Sequence, residues 1–276
     1  MPRKIALISS HPIQYNAPLF AFLAKEPEID LMVFYTWGEA ALGPKYDPDF
    51  GKEIEWDIPL LEGYNYTFLK NTSKEPGSHH FKGIINPTLI QEIEVWAPDA
   101  VWVWGCAFDS HLKAMRYFKG KVPVWFRGDS TLLDESKAWN IRKYLRRIFL
   151  CWVYRQVDIC LYAGTANRAY YKRHWFREDQ LVYAPHAVDK DRFAADDQSR
   201  NTLAKAWRNQ LGILDDETIF LFTGKLEPQK DLKSLFKSFK ILKNSKARLV
   251  IAGYGVFEER LRQLAGSGGR IIFLPL

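Results

Sequence analysis

Thr223-Gly224-Lys225-Leu226-Glu227-Pro228-Gln229-Lys230-Asp231 follows the apolar run Thr218-Ile219-Phe220-Leu221-Phe222. β-branched and aromatic residues cut short by Gly and then by Pro-Gln-Lys-Asp predict a buried strand, a loop and a helix that starts at Asp231 or just after it. Two lysines then stand at the carboxyl edge of a strand, where open α/β sheets bind their ligands. The next helix brings its free N–H groups and the positive end of its dipole to the same place. The expected guest is a phosphate.

The pattern continues around this stretch. Arg248 to Ala252 predicts a strand, Gly253-Tyr254-Gly255 a tight loop, Phe257 to Ala265 a helix and Ile271 to Leu274 a strand, with a further helix at Leu203 to Leu211 ahead of the series. Three strands and three helices make about half of a doubly wound domain, with one parallel edge left uncovered. The polar run Asp196-Asp197-Gln198-Ser199 stands where an earlier β/α series stops. The expected division is therefore 1–196 and 197–276.

The earlier series begins with a strand at Lys4 to Ser9, a loop Ser10-His11-Pro12-Ile13-Gln14-Tyr15-Asn16-Ala17-Pro18, and a helical pattern through Leu19, Phe22 and Leu23. The loop contains no glycine. A dinucleotide fold places G-x-G-x-x-G here so that its backbone closes on a pyrophosphate, so an NAD enzyme is disfavoured. Strands follow at Ile29 to Tyr35, Ala100 to Trp104, Val122 to Phe126 and Val157 to Tyr162, alternating with helices from Asn86-Pro87 to Trp96, Phe108 to Phe118 and Thr165 to His174, the last with Thr165 as its N-cap. Such alternation predicts a parallel sheet covered by helices on both faces. Arg127 and Asp129 stand at its carboxyl edge, either as an internal pair fixing the turn or as substrate contacts. Thr36 to Pro87 is irregular and aromatic, carrying Trp37, Tyr46, Phe50, Trp56, Tyr64 and Tyr66. These rings form either a sugar or lipid platform or a loop packed on itself.

The 276 residues carry 47% hydrophobic and 15% aromatic side chains, enough for a large core. The net charge of +7 suits phosphates, an anionic membrane surface or nucleic acid alike, and no nucleic-acid module is present. Lys137 to Arg155 holds six basic residues and no acid, with Ile141, Leu145, Ile148, Phe149 and Trp152 at helical spacing. That helix either lies on anionic headgroups, each basic residue there contributing on the order of 1 kcal/mol, or packs its apolar face inward and solvates its basic one. Cys106, Cys151 and Cys160 have no metal spacing and leave one thiol unpaired, which predicts a reduced chain without a metal. Arg3 and Lys4 precede too short an apolar run for a signal segment, and no stretch reaches the roughly 20 apolar residues of a spanning helix. The expected location is cytoplasmic or peripheral at the inner membrane face.

At this point four segments meet in one order. Thr223 to Asp231 resembles the G-R-L-x-x-x-K-G phosphate motif of the retaining glycosyltransferases of the GT-B fold, family 4 group. Leu249 to Gly255 with Glu259-Arg260-Leu261 resembles that family's apolar strand and G-x-G loop. Ala184-Pro185-His186-Ala187-Val188-Asp189 with Phe193 is similar to its P-N-G-V-D-x-x-x-F segment. His11-Pro12-Ile13-Gln14-Tyr15 resembles the first loop of a bacterial subgroup, as does Trp56-Asp57-Ile58-Pro59-Leu60-Leu61 with Gly63-Tyr64. Three departures stand out: Lys225 occupies the place of an arginine and loses its bidentate fork, His186 replaces an asparagine, and Arg127-Gly128-Asp129 stands where many members carry a histidine.

The resemblance implies two Rossmann-like doubly wound parallel-sheet domains, the second incomplete, because the sequence stops before the family's E-x7-E segment. It implies sugar transfer from a UDP or GDP donor to a glycan or lipid-linked acceptor, with no cofactor. Lys225 and Lys230 would stabilise the departing diphosphate in place of a metal ion. Gly224, Gly253, Tyr254 and Gly255 would line the donor side, and His11, Gln14, Tyr15, Arg127 and Asp129 the acceptor side. For this length the expectation is weak or absent turnover. The rival readings are a GT-B sugar-nucleotide 2-epimerase, a non-catalytic sugar-nucleotide binder, and, for Lys225 and Lys230, solvated surface lysines.

Overall fold

The apolar run at the amino end is strand β1 (Arg3–Ser9), and its Ile5 to Ser9 are buried. It pairs along both edges, in parallel, with β2 (Ile29–Tyr35) and β6 (Ala100–Trp104), and its side chains enter a packed core on each face. In this computed structural model the described residues are 1–39, 45–47, 52–54, 58–135, 141–190, 198–266 and 268–274. The chain divides into one unit of Met1–Gly43 with Trp56–Asp189 and another of Pro44–Glu55 with Lys190–Leu276.

In the first unit, β5 (Asn65–Phe68), β7 (Val124–Arg127), β8 (Ile159–Tyr162) and β9 (Leu181–Tyr183) complete a seven-stranded parallel sheet in the order β5-β2-β1-β6-β7-β8-β9. Its helices are α1 (Ala17–Leu23), α2 (Leu89–Trp96), α3 (Asp109–Phe118), α4 (Ile141–Tyr154) and α5 (Thr165–Arg173). Side chains alternate across β1: Ala6 and Ile8 join the core that includes Ile93, Met115 and Tyr154, while Ile5 and Leu7 join the one that includes Phe20 and Tyr64. Two cores on opposite faces are what the doubly wound expectation requires.

Two expectations need correction here. The aromatic stretch after Thr36 contributes β5, which extends the sheet beside β2 in the register Met32 opposite Asn65 to Tyr35 opposite Phe68. Its rings pack on the sheet: Tyr66 contacts Tyr35, Tyr64 and Phe68, and the Tyr35 and Tyr64 hydroxyls share a 2.7 Å hydrogen bond. The self-packed reading holds for these residues; Phe50 and Trp56 lie outside the described residues, as do the side chain of Tyr46, the linker residues Asp196 and Asp197, Lys137 and Phe193. Thr165 is not a cap. Gly164 takes the N-cap position of α5, and the nearby Ala163 N–H donates to Asn167 Oδ1 at 2.9 Å. A small or side-chain-bearing residue serves at that turn provided the loop's donors are met.

One buried polar knot joins strand ends at the carboxyl edge. His111 of α3, 0% exposed, bonds Gly105 O through Nδ1 at 2.8 Å and meets Thr36 Oγ1 through Nε2 at 2.8 Å. The Nδ1–H tautomer fits, with Thr36 donating to Nε2. Burial lowers the His111 pKa from 6.5 to about 4, carbonyls of Gly105 and Trp104 only partly offsetting it. The unfolded chain therefore takes up a proton near pH 6.5 that the folded chain refuses until about pH 4. This contribution to stability is complete above 6.5 and is lost as pH falls through that window, amounting to about 2 kcal/mol by pH 5. We expect His111→Gln to flatten the drop in urea midpoint between pH 7.5 and 5; an unchanged drop would assign it to other groups.

The second unit contains α6 (Gln198–Gln210), β10 (Thr218–Thr223), α7 (Leu232–Ile241), β11 (Ala247–Ala252), α8 (Glu258–Ala265) and β12 (Ile271–Leu274), besides a short antiparallel hairpin of β3 (Lys45–Asp47) and β4 (Lys52–Ile54). The sheet is parallel in the order β10-β11-β12. Leu226, Leu232, Phe236, Phe239, Leu249, Ile251 and Leu261 form its core against α7 and α8. The central strand β11 is the buried one. β10, expected to be buried, is an edge among the described residues, with Phe220 47% and Leu221 62% exposed. Its apolar run marks a strand correctly but says nothing about how many neighbours cover it.

Candidate functional site

Two sets of loops at carboxyl edges carry the predicted residues, one on each unit. On the second unit, the loop after β10 and the loop after β11 run side by side beyond the sheet. Gly224 N–H donates to Ala252 O at 3.0 Å and Leu226 N–H to Tyr254 O at 2.7 Å, so the strand pairing continues into the loops. Phe257 N–H then donates to Leu226 O at 3.0 Å, pinning the start of α8 to the same loop. The approach leaves no room for side chains. A Cβ on Gly253 would stand 1.9 Å from Gly224 O, and one on Gly255 would stand 2.5 Å from Leu226 O. Glycine is required at both because backbone meets backbone there.

Leu226 is fully buried in the core below and anchors this loop, with half-buried Lys225 next to it. Lys230 is exposed and ends a single 3-10 turn, Pro228–Lys230. Asp231 follows in the left-handed region, φ 46°, as the N-cap of α7, so the helix starts at Leu232, within a residue of the expectation. Leu235 N–H and Ser234 N–H donate to Asp231 O. The structure thus brings Gly224, Lys225, Lys230, Gly253, Tyr254 and Gly255 onto two adjoining loops at one sheet edge.

On the first unit, Arg127 ends β7 with only 2% of its surface exposed. Its Nη1 donates to Ala184 O at 2.6 Å, its guanidinium lies 5.0 Å from the Trp104 ring centre, and its Nε has no partner. Burial lowers its pKa, with Asp129 pulling the other way. The internal Arg127–Asp129 pair weighed from the sequence is not formed. Asp129 is exposed and sits 3.5 Å from His186 Nε2, while Arg127 ties the end of β7 to the end of β9. The loop between them is fixed from α5: Tyr171 Oη donates to Gly128 O at 2.6 Å, and Asn167 Nδ2 donates to Gly128 O and Ser130 O at 3.1 and 2.8 Å.

Tyr15, on the loop after β1, is exposed, and burial of part of its ring and then the Asp129 carboxylate raise its phenol pKa. Gln14 is half-buried on that loop. His11 points to its own neighbours, its Nδ1 2.9 Å from Ser10 Oγ and its ring edge-on to Trp37 at 5.3 Å. Sequence reasoning missed His186 as a partner of Asp129, although its place in the Ala184 to Asp189 segment had been noted. It also missed Tyr171 and Asn167, whose helical spacing gave no sign that they hold a loop. All three cysteines are free thiols, and burial raises Cys106 to about 11. Among the described residues no group of three or more His, Cys, Asp or Glu is placed to hold a metal ion, and no helix is long and apolar enough to cross a membrane.

Known proteins share parts of this arrangement. Residues 204–271 match the family described as "Glycosyl transferases group 1", a span that takes in both loops of the second unit. An uncharacterized glycosyltransferase of Methanocaldococcus jannaschii is 38% identical over 72 residues, which cover 25% of this chain and 18% of that protein, so the alignment spans under a fifth of the relative's length. The solved structure of Anabaena HepE in complex with UDP superposes with a TM-score of 0.65 at 15% identity, covering 100% of this chain and 69% of that one. The UDP-GlcNAc 2-epimerase of Methanocaldococcus jannaschii superposes with a TM-score of 0.53 at 14% identity, covering 100% and 74%. These likenesses establish the fold as α/β of the GT-B kind, and residues 204–271 are similar to the glycosyltransferases of group 1.

Proposed function

We propose that the chain is a retaining glycosyltransferase of the family 4 type that moves a hexose-like sugar from a UDP or GDP donor to a cell-surface glycan or lipid-linked acceptor. The observation that carries this reading is the pair of loops zipped together by Leu226 and Tyr254 at one sheet edge, with Lys225 next to Leu226 and Lys230 two residues ahead of α7, all inside the segment that matches the glycosyltransferase family. UDP bound to HepE, a protein of the same fold, supports a nucleoside diphosphate as the guest.

In the reaction, the bond between the sugar's anomeric carbon and the diphosphate oxygen breaks, and the acceptor oxygen bonds that carbon on the same face. The acceptor's proton passes to the departing phosphate. Negative charge grows on the diphosphate, and Lys225, Lys230 and the N–H groups that open α7 stabilise it where it grows. Gly224, Gly253, Tyr254 and Gly255 form the donor wall. His11, Gln14, Tyr15, Arg127 and Asp129 belong to the acceptor side, with the carboxylate of Asp129 and the phenol of Tyr15 as hydrogen-bonding partners for sugar hydroxyls.

The test is radiolabelled sugar transfer from UDP-glucose, UDP-GlcNAc and GDP-mannose to a bacterial lipid and glycan extract, with free nucleotide measured in parallel. Label entering the extract together with UDP or GDP supports the reading, and release that needs the extract separates transfer from hydrolysis. Inversion at the sugar's second carbon with no acceptor present would assign the epimerase chemistry instead. Nucleotide binding without transfer would leave a sugar-nucleotide binder.

A further inference from the structure

The α4 helix is turned inside out relative to an ordinary surface helix. It is held to the first unit through Cys151, Val153 and Tyr154, which are buried, and through Lys143 and Arg147, which reach Glu135 at 3.2 and 2.7 Å. Ile141, Tyr144, Leu145, Ile148, Phe149 and Trp152 are 39% to 65% exposed. At about 100° per residue these six fall within an arc of about 140°, opposite the buried side, and run for about 17 Å along the axis. Scattered apolar residues on a surface need no explanation, but an unbroken stripe of six marks an interaction site. The core-facing alternative weighed from the sequence is not what the structure shows.

The rim of the stripe identifies its occupant. Arg142 and Arg146 are exposed along one side, Arg155 is exposed at its end, and exposed Arg116 of α3 lies 5.3 Å from the Trp152 ring. α4 itself carries no acid, and Glu135 is taken up by Lys143 and Arg147 on the inner side. A second copy docked through the same stripe would set these arginines against their own counterparts, which is unfavourable. A bilayer with anionic lipids offers hydrocarbon and phosphate at the right relative heights for both sets of side chains.

We propose that α4 lies in the interface of an anionic bilayer, with Leu145, Ile148, Phe149 and Trp152 at the acyl boundary and Arg142, Arg146 and Arg155 at the lipid phosphates. The inference does not depend on sugar transfer. It places the first unit against the surface where a lipid-linked acceptor would reside.

Flotation of the full 276-residue chain with phosphatidylcholine vesicles, and with vesicles in which about a third of the lipid is phosphatidylglycerol, tests it. Binding is expected to the anionic vesicles, weak for the neutral ones, and reduced at about 1 M salt, where the screening length is near 3 Å. Ile148→Ser with Phe149→Ser removes the two side chains that would insert, and is expected to weaken binding at least about tenfold. Arg142→Glu with Arg146→Glu is expected to abolish the preference for anionic lipid. Leu203→Ser with Trp207→Ser, on the exposed apolar residues of α6, is the control and is expected to bind as the parent does. Far-ultraviolet circular dichroism confirms that each variant folds. Three results would overturn the proposal: no vesicle binding by the parent, binding untouched by both α4 variants, or a dimer in light scattering that the Ile148 and Phe149 changes dissolve.

Discussion

Replacing Lys225 and Lys230 together by alanine is expected to weaken UDP or GDP binding by roughly a thousandfold in titration calorimetry, with the melting temperature unchanged. A charge-assisted hydrogen bond to a phosphate contributes about 1.5–3 kcal/mol, and each 1.4 kcal/mol is a factor of ten. Lys225 is half-buried beside Leu226 and carries the larger share, about a hundredfold in the single variant. Lys230 is exposed, its charge is screened by water and salt, and its share is about tenfold and falls as salt rises. Lys225→Arg restores charge with a different donor geometry and is expected to recover most of the loss. Neither lysine belongs to the buried core, and a melting temperature measured beside each titration separates lost binding from lost stability. Equal heats from the parent and the double variant would move the diphosphate site elsewhere and take the sugar-transfer mechanism with it.

The strands that matter were legible because a buried or half-buried strand needs a short run of β-branched and aromatic residues, and such runs are punctuated here by Gly, Pro and Asp. β1, β2, β6, β7, β8, β10, β11 and β12 all emerge in this way, within one or two residues. β5 was hidden: four residues, Asn65–Phe68, have too little alternation to stand out from the aromatic text around them, and only pairing with β2 makes them a strand. Local pattern also fails to report which neighbours an element acquires. The composition of β10 matches that of a central strand and that of α4 fits a core-facing helix, and in both the exposure of the apolar side chains departs from what composition alone suggests. The same limit applies at the site. Residue types placed Lys225 and Lys230 on the loop after β10, but whether Arg127 would meet Asp129 or Ala184 depended on where β9 ends. That is a tertiary fact.

The stiffness of the glycine loops explains why two lysines on a surface loop are held in place at all. In Gly253→Ala the new methyl would overlap Gly224 O at 1.9 Å and crowd Gly224 C at 3.0 Å, both backbone atoms with no rotamer to escape into. Relief requires the two loops to separate, which breaks the Gly224 to Ala252 and Leu226 to Tyr254 hydrogen bonds and lifts Leu226 out of the core. Overpacking alone costs about 1–3 kcal/mol, and the lost bonds and burial bring the total above about 3 kcal/mol. The expected result is early unfolding of the second unit, seen as lost hydrogen-exchange protection in β10 and β11 while β1 and β6 keep theirs, together with loss of nucleotide binding. Gly255→Ala acts in the same direction through Leu226 O and N at 2.5 and 2.7 Å. Gly268→Ala meets nothing within 4 Å, and its effect is expected to stay within about 0.5 kcal/mol. A Gly253→Ala chain with parental protection and parental nucleotide affinity would mean that the two loops do not touch. Lys225 would then have no rigid base from which to meet a phosphate.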